Sequence, residues 1–289
     1  MKYRIEKDTL GEVEVPADVY YGPQTQRSVN NFKIATDISR MPEEVIEAFA
    51  YLKKGAALAN KDAGVLSPEK CELIGKVCDE ILAGKLNDSF PLIVWQTGSG
   101  TQTNMNVNEV IANRALELMG HRRGEYQYCS PNDHVNRSQS TNDAYPTAIH
   151  IGLYYTHLKL VKHFGELIAS FRKKGKEFAH IIKMGRTQLE DAVPMTLGQT
   201  FNGFANILEQ EVKNLDFAAQ DFLTVNMGAT AIGTGITAEP EYAEMCIEAL
   251  CKITGLDIKL ADDLIGATSD TSCMVGYSCL LYTSPSPRD

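Results

Sequence analysis

The stretch that decides the fold is TNDAYPTAIHIGLYYTHLKLVKHFGELIASFRKKGKEF, residues 141–178. Its larger apolar side chains recur with the 3.6-residue period of an α-helix; they are Leu153, Leu160, Val161, Phe164, Leu167, Ile168 and Phe171. A helix of roughly 35 residues would be about 50 Å long. A second pattern of the same kind runs from residue 197 to 223, with Leu197, Phe201, Phe204, Leu208, Val212, Leu215 and Phe222.

Two helices of this length predict the architecture. In a soluble chain without sustained strict heptads, such helices usually belong to an extended bundle that is shared between subunits. Shorter helical patterns occupy residues 42–64 and 67–84, the second with Ser67 as its N-cap. Residues 1 to about 40 are irregular, with one short hairpin. We therefore expect a mainly α protein with a small N-terminal arm, assembled as a homo-oligomer.

The composition narrows the possible partners. The chain has 289 residues, of which 44% are hydrophobic and 22% charged, as in globular proteins. Its formal net charge is -9 and it contains no block of lysines or arginines, which argues against nucleic acid or a membrane surface as a partner. A small metabolite is the expected ligand. The start of the chain lacks a signal-peptide core and no window is apolar enough to span a bilayer, so we expect a cytoplasmic protein.

Metals and cofactors are not indicated by any motif. The seven cysteines form no CxxC pair, which favours buried, reduced thiols, and the six histidines form no HxxxH or HExxH pattern. Neither the phosphate loop GxxxxGK[ST] nor GxGxxG occurs in the sequence. We expect no metal and no cofactor.

Four polar segments interrupt the helical patterns. They are WQTGSGTQTNMNVNEV (95–110), SPNDHVNRSQSTNDAYPT (130–147), KMGRTQLEDAVP (183–194) and NMGATAIGTG (226–235). Each lies where a long helix starts or stops, and Pro194 is expected to begin the second long helix. The first turn of a helix has unpaired N–H groups and a partial positive charge, which suit carboxylates or phosphates.

These segments also have simpler interpretations. Considered alone, Ser140 to Asn142 are ordinary N-caps, and the glycine-rich segment 226–235 is at least as well explained as a tight interhelical turn. Three polar helix entries in one chain nevertheless favour a site for a small polyanion. A site that holds carboxylates suits proton abstraction next to a carboxylate, because the extra negative charge must be stabilised as it develops.

The same segments resemble the successive motifs of the fumarase/aspartase superfamily, and RIEKDTLGEVEVPADVYYGPQTQRS resembles its N-terminal arm. The resemblance covers about residues 3 to 278. It implies a mainly α homotetramer with a central bundle of long helices from all four subunits, and active sites assembled from three chains. It also implies a reversible, cofactor-independent elimination that yields fumarate from a dicarboxylate substrate.

Carried over to this sequence, the resemblance implies seven substrate-binding residues, which are Ser99, Thr101, Ser140, Thr141, Asn142, Thr187 and Gln188. Their expected role is to hydrogen-bond the substrate carboxylates and the dianionic carboxylate formed when the proton leaves. Asn132 and Asp133 match a second, peripheral anion-binding segment of the hydratase branch.

One motif of the superfamily is missing. The loop of the type G-S-S-x-M-P-x-K-x-N-P, which supplies the serine base and a carboxylate-binding lysine, does not occur in this sequence. We expect residues 1–139 to be the N-terminal lyase domain, 140–278 to be part of the bundle domain, and 279–289 to be a non-family tail. The full-length protein is then expected to be longer, with the base beyond residue 289, and the 289-residue chain to be inactive alone.

Gln188 indicates the branch of the superfamily. The hydratase branch has a histidine at this position, whereas an amide cannot exchange a proton near neutral pH. An ammonium group leaves without a general acid, so the glutamine favours elimination of ammonia from L-aspartate. The segment 95–106 instead looks more like the loop of the branch that hydrates fumarate to L-malate. A non-catalytic helical scaffold remains the alternative of another class, and the argininosuccinate and adenylosuccinate lyases are more distant.

Overall fold

A computed structural model describes residues 2–283, and helices predominate in this part of the chain. The predicted mainly α fold is confirmed. Residues 2–153 and 223–270 form one compact unit, and residues 154–222 and 271–283 form a second. The division predicted at residues 139/140 coincides with the start of the longest helix, and it stays a prediction.

The first unit begins with a hairpin and is otherwise mostly helical. Its hairpin strands are β1 (Tyr3–Asp8) and β2 (Gly11–Pro16), paired antiparallel. Its first helices are α1 (Pro23–Asn31), α2 (Glu43–Asp62), α3 (Pro68–Leu82) and α4 (Thr101–Leu118). The longest helix, α5 (Thr141–Glu177), begins in the first unit and continues into the second.

Short elements complete both units. In the second unit, the strands β3 (Ile182–Thr187) and β4 (Glu190–Thr196) form a hairpin that leads into α6 (Leu197–Ala219). Further along, the first unit contains the two-residue strands β5 (Thr224–Val225) and β6 (Lys259–Leu260), with α7 (Tyr242–Thr254) between them and α8 (Leu264–Ser269) after them. The helix α9 (Ser272–Thr283) belongs to the second unit.

The core of the first unit lies between α2, α3, α4 and α7. Helix α2 packs against α3 and α7, and α3 packs against α4. The largest wholly buried apolar side chains include Phe49, Leu52, Ile74, Ile111 and Leu250. Each such side chain stabilises the fold by about 1.5–3 kcal/mol relative to its exposed state. Ser67 caps α3 as predicted, because its hydroxyl accepts the backbone N–H of Lys70.

Helix α4 is buried on every side from Thr103 to Asn113, which its sequence did not reveal. The apolar side chains of Val107, Val110, Ile111 and Ala115 are fully buried, whereas Leu118 near the end of the helix is 41% exposed. The buried stretch also carries polar side chains, which are Asn104, Asn106, Asn108, Glu109 and Asn113. A helix of this kind needs hydrogen-bond partners on neighbouring elements for each of its polar groups.

Glu109 meets this requirement by capping α1. Its carboxylate accepts the backbone N–H groups of Gly22, Gln24 and Thr25 at 2.8–3.1 Å, and the Thr25 hydroxyl at 2.6 Å. Helix α1 was not predicted within the arm, although the hairpin was. Its first turn has no acidic residue of its own, so the stabilising charge comes from a residue more than eighty positions away.

The second unit contains the later part of α5 and all of α6, which are the two predicted long helices. Helix α5 matches the predicted range closely, while α6 ends at Ala219 and is followed by a 3₁₀ turn to Leu223. Four phenylalanines pack between α5 and α6 with ring centroids 5.5–6.2 Å apart; they are Phe171, Phe178, Phe201 and Phe204.

The start of α6 and the end of α9 differ from what the sequence predicted. Pro194 does not begin α6, because it lies inside β4. The helix begins after Thr196, whose hydroxyl accepts the N–H of Gln199 while the Gln199 side chain accepts the N–H of Thr196. Helix α9 continues to Thr283, past the predicted start of the tail at residue 279, and residues 284–289 of that tail lie outside the described residues.

Membrane crossing has no support among the described helices. Between residues 2 and 283, no helix combines the length and the hydrophobicity required to traverse a bilayer.

The tip of the β3–β4 hairpin is a strained two-residue turn. Thr187 pairs with Glu190, which leaves Gln188 and Leu189 as the loop, with φ angles of 48° and 67°. Positive φ at both loop residues is the type I′ turn of hairpins, which favours asparagine and glycine. Leu189 is 95% exposed, so its side chain offers little packing in return for the strained backbone.

We predict that Leu189→Gly raises the free energy of unfolding by about 0.5–1 kcal/mol, because relief of the left-handed strain exceeds the entropy that glycine adds to the unfolded chain. Urea unfolding measures the change. Leu10→Gly is the matched control, since Leu10 is 78% exposed at the turn of the other hairpin but has no positive φ. It should be neutral or destabilising, and a gain as large as that of Leu189→Gly would contradict the strain.

Candidate active site

The polar segments of the first unit meet where α4 and α5 begin. The side-chain amide of Asn104 in α4 donates to the Thr141 hydroxyl at 3.1 Å and to Asn136 Oδ1 at 3.2 Å. Gly100, just before α4, has a φ of 74°, and a Cβ atom there would collide with the ring of Tyr145 in α5. The close approach of the two helix starts therefore requires glycine at this position.

Ser99 and Thr101 lie at the exposed entry to α4. The Ser99 hydroxyl is 3.2 Å from the Thr101 hydroxyl and 3.1 Å from that of Thr97. These three hydroxyls form a short row on the surface, close to the unpaired N–H groups of the first helical turn.

A cleft opens beside Thr101 within the first unit. Its volume is about 690 Å³, which is in the range of small-molecule sites. Thr101 and Gln102 line it together with Gln24 and Arg27 of α1. The Arg27 guanidinium is held by the Asp8 carboxylate at 2.9–3.0 Å. Gln24 and Arg27 were not predicted as site residues.

The start of α5 is capped by its own residues. The Ser140 hydroxyl accepts the N–H of Asn142 at 3.3 Å, and the Asp143 carboxylate accepts the N–H of Ser140 at 2.9 Å. The capping interpretation of this segment is therefore supported. Asn142 is exposed, and its side-chain nitrogen donates to the carbonyl oxygen of Ala231 at 2.7 Å.

Lys53 lies beneath this arrangement, fully buried. Its ammonium group donates to Asn104 Oδ1 at 2.7 Å, Asn136 Oδ1 at 2.9 Å and Gln139 Oε1 at 2.8 Å. All three ammonium hydrogens can thus be accepted by neutral amide oxygens. Burial lowers the pKa of Lys53 to about 7, and the nearby Asp143 carboxylate opposes this shift. No sequence pattern indicated a role for Lys53, because a lysine in an amphipathic helix normally faces solvent.

Asp143 ties the glycine-rich segment 226–235 to the start of α5. Its second oxygen accepts the N–H groups of Gly228 at 3.2 Å and Thr230 at 2.9 Å. Burial raises the pKa of Asp143 to about 6, although the hydrogen bonds from the backbone of Ser140 and Thr230 and the charge of Lys53 oppose the shift. The Asn226 side chain adds a bond to the Asn142 carbonyl oxygen at 3.0 Å. The segment is therefore a tight turn, as the simpler interpretation predicted, and it is docked directly on Asn142.

Asn132 and Asp133 occupy an exposed part of a single π-helical turn, Pro131–Val135. The Ser130 hydroxyl donates to the Asp133 carboxylate at 2.9 Å, and the Asp133 N–H donates back to the same hydroxyl. Within the described contacts, Asp133 is held by its own turn. A peripheral anion-binding role of the two residues stays a prediction.

Thr187 and Gln188 lie in the second unit, at the exposed tip of the β3–β4 hairpin. The other five predicted residues all lie in the first unit, in the two helix entries joined through Asn104. Besides Gln24 and Arg27, the sequence reasoning missed Lys53, Asn104 and Asp143. Asn104 and Asp143 do stand inside the polar segments, so the motif boundaries contained a signal for them but none for Lys53.

The predicted burial of the cysteines holds for four of the seven. None of the seven cysteines forms a disulfide; Cys71, Cys78, Cys129 and Cys246 are buried as predicted, whereas Cys279 is exposed and Cys251 and Cys273 are partly exposed. Among residues 2–283, no group of three or more histidine, cysteine or acidic side chains is placed to hold a metal ion.

Comparison with known proteins assigns the family. The family described as Lyase matches residues 11–283. The aspartate ammonia-lyase of Escherichia coli strain K12 is 51% identical over 274 residues, which are 94% of this chain and 57% of that protein. The aspartate ammonia-lyase of Bacillus subtilis strain 168 is 48% identical over 280 residues, which are 97% of this chain and 58% of that protein. The chain belongs to the fumarase/aspartase superfamily of lyases.

Solved structures of this superfamily share the fold. A fumarate lyase:delta crystallin from Brucella melitensis, in a structure bound to cobalt, has a TM-score of 0.92 and 45% identity, over 97% of this chain and 61% of that chain. The class II fumarase of Schistosoma mansoni has a TM-score of 0.91 and 35% identity, over 96% of this chain and 62% of that chain. The chain spans little more than half the length of the curated superfamily members it matches.

We predict that Lys53→Met lowers the free energy of unfolding by about 2–4 kcal/mol, because three buried amide oxygens lose their donor. Lys54→Met is the matched control at the next position. Lys54 pairs with Asp79 at the surface and should lose less than about 1 kcal/mol. Urea unfolding of both variants measures the difference, and equal losses would contradict the buried network.

The burial of Lys53 should also affect how the free energy of unfolding depends on pH. The folded-state pKa of Lys53, about 7, lies below its ordinary value of 10.5, so the unfolded chain binds more protons between these two values. Raising the pH from 7 to 9 should therefore stabilise the natural chain relative to Lys53→Met, by an amount on the order of 1 kcal/mol per pH unit. Parallel stability curves for the two proteins over this range would contradict the lowered pKa.

Proposed function

We propose that this chain is the substrate-binding part of an aspartase-type lyase, which reversibly eliminates ammonia from L-aspartate to give fumarate. The arrangement at the start of α5 supports the proposal most strongly. There, Ser140, Thr141 and Asn142 lie next to the entry to α4 and above the buried ammonium group of Lys53. Relatives named aspartate ammonia-lyase, with sequence identities of 51% and 48%, support the same activity.

Electrostatics favours a dianionic ligand at this position. The N-termini of α4 and α5 carry partial positive charge, and Lys53 adds a buried cation with no carboxylate in direct contact among the described residues. Hydroxyl and backbone donors can bind the two carboxylates and stabilise the additional negative charge that develops when the carbon-bound proton leaves.

Asn142 supports an amino group as a further feature of the substrate. Its side-chain nitrogen is engaged by the Ala231 carbonyl oxygen, which fixes the plane of the amide. The Oδ1 atom receives no hydrogen bond within residues 2–283, and a carbonyl oxygen accepts hydrogen bonds but cannot donate them. It therefore suits the ammonium group of L-aspartate. The neutral amide of Gln188 agrees with a leaving group that needs no general acid.

Hydration of fumarate to L-malate is the second candidate. It is favoured by the segment 95–106 and by the similarity to a class II fumarase. A hydroxyl group of malate could also donate to Asn142 Oδ1, so the two substrates have to be separated by measurement.

Assembly into a homotetramer is part of the proposal. Several large apolar side chains of the second unit are 47–83% exposed, among them Ile182, Val193, Phe204, Ile207 and Phe217. Apolar surface of this extent favours a protein interface. We propose that the β3–β4 hairpin supplies Thr187 and Gln188 to a site that other copies of the chain help to build.

A thermal-shift series tests the proposed site. L-Aspartate, fumarate or succinate at about ten times its dissociation constant should stabilise the 289-residue chain by about 1.4 kcal/mol, and so raise the unfolding midpoint by a few degrees. Butyrate, which has one carboxylate, is the ligand control and should give a much smaller shift. A stronger shift with L-malate than with L-aspartate would favour the hydratase instead.

Turnover distinguishes binding from catalysis in the same samples. Because the sequence contains no loop with a serine base, the 289-residue chain should bind L-aspartate without forming fumarate, which is followed by its ultraviolet absorbance. Fumarate production at an ordinary enzymatic rate would contradict the expectation that these 289 residues do not contain the base. The absence of any shift with all three dicarboxylates would favour a non-catalytic scaffold.

A further inference from the structure

Asp143 joins two backbone segments through a single buried carboxylate. One oxygen accepts the N–H of Ser140 at 2.9 Å, and the other accepts the N–H groups of Gly228 and Thr230 at 3.2 and 2.9 Å. The side chain is fully buried, so water does not compete for these bonds. Hydrogen bonds from backbone N–H groups to a buried carboxylate are about twice as strong as those between neutral groups.

The segment held by Asp143 has a strained backbone. Thr230 has a φ of 58°, in the left-handed region that β-branched residues avoid. Such a conformation is unfavourable for a residue with a Cβ atom and persists only where the surroundings hold it. Gly228, with a φ of 92°, packs so closely against Ala243 that a Cβ atom would lie 2.6 Å from the Ala243 Cβ. The hydrogen bond from the Thr230 N–H to Asp143 therefore maintains a local structure that the sequence would not adopt alone.

Ala231, which follows Thr230, connects the strained segment to the candidate site. The Ala231 carbonyl oxygen accepts the side-chain N–H of Asn142 at 2.7 Å. The orientation of the Asn142 amide thus depends on the position of Ala231, and that position depends on the bonds from Gly228 and Thr230 to Asp143. Asn142 and Asp143 are adjacent in sequence, but this route connects them through the turn at residues 228–231.

We propose that Asp143 is a positioning residue that fixes the Asn142 amide through residues 228–231, and so sets the preference of the site for an amino dicarboxylate over a dicarboxylate without an amino group. This inference rests on the proposed function, in which Asn142 Oδ1 accepts a hydrogen bond from the substrate ammonium group. Asp143 does not touch the substrate in this scheme.

The test compares L-aspartate with succinate, which has the same two carboxylates and no amino group. Isothermal calorimetry gives the ratio of the two dissociation constants for the natural chain and for Asp143→Ala. The variant frees the turn, so the preference for L-aspartate should fall by about 5-fold or more. A ratio within experimental error of the natural chain would overturn the positioning role.

Glu109→Ala is the matched control. Glu109 is also a buried carboxylate that accepts three backbone N–H groups, but these belong to residues 22–25 at the start of α1. Both variants should lower the unfolding midpoint, whereas only Asp143→Ala should change the ligand preference. Equal loss of preference in both variants would reduce the effect of Asp143 to general destabilisation and overturn the proposal.

A measurement on the natural chain covers the case in which Asp143→Ala does not fold. Coupling between sites is reciprocal, so saturating L-aspartate should slow amide hydrogen exchange at Gly228 and Thr230 more than saturating succinate does. Equal protection by the two bound ligands would overturn the positioning role and leave the proposed function intact. Failure of the natural chain to bind either ligand would instead overturn the proposed function, on which the positioning role rests.

Discussion

The buried ammonium group of Lys53 is the constraint on which the arrangement of the polar segments depends. A cation in the interior is tolerated only when its hydrogens are accepted and its charge is balanced nearby. Three amide oxygens from α4 and from residues 136–139 accept the hydrogens, and Asp143 supplies the opposite charge. These groups are far apart in sequence, so the packed state of Lys53 requires the entries to α4 and α5 to be in place together.

The buried carboxylates of Glu109 and Asp143 hold further segments of the first unit in place. Glu109 stabilises the start of α1, whose residues line the cleft beside Thr101, and Asp143 holds the turn that engages Asn142. At the start of α5 the side chains of Ser140, Thr141 and Asn142 are neutral, while the charged groups of Lys53 and Asp143 in the same hydrogen-bond network are fully buried. A site built in this way is preorganised for an anion, because its dipoles need little rearrangement when the ligand arrives.

Periodicity and helix-end chemistry predicted the long helices, the Ser67 cap and the polar entries to α4 and α5, since these depend on nearby residues. The features that were missed depend on distant partners. The burial of Lys53 is decided by amides on other elements, and α1 is capped by Glu109 from another helix. Pro194 was assigned to a helix start because proline favours that position, but it lies in β4 at the edge of a two-stranded sheet, where its missing N–H is tolerated. The predicted binding roles of Thr187 and Gln188 remain predictions.

The protonation of Lys53 is the most direct measure of whether a buried cation organises this site. Nitrogen-detected NMR of the lysine side chains can follow its Nζ atom as a function of pH, with and without saturating succinate. The ammonium hydrogens should exchange slowly at pH 6, the group should lose its proton near pH 7, and bound succinate should raise its pKa, because a dianion stabilises a neighbouring cation. Rapidly exchanging ammonium hydrogens and the ordinary lysine pKa of 10.5, unaffected by succinate, would contradict the claim that a buried cation organises the site.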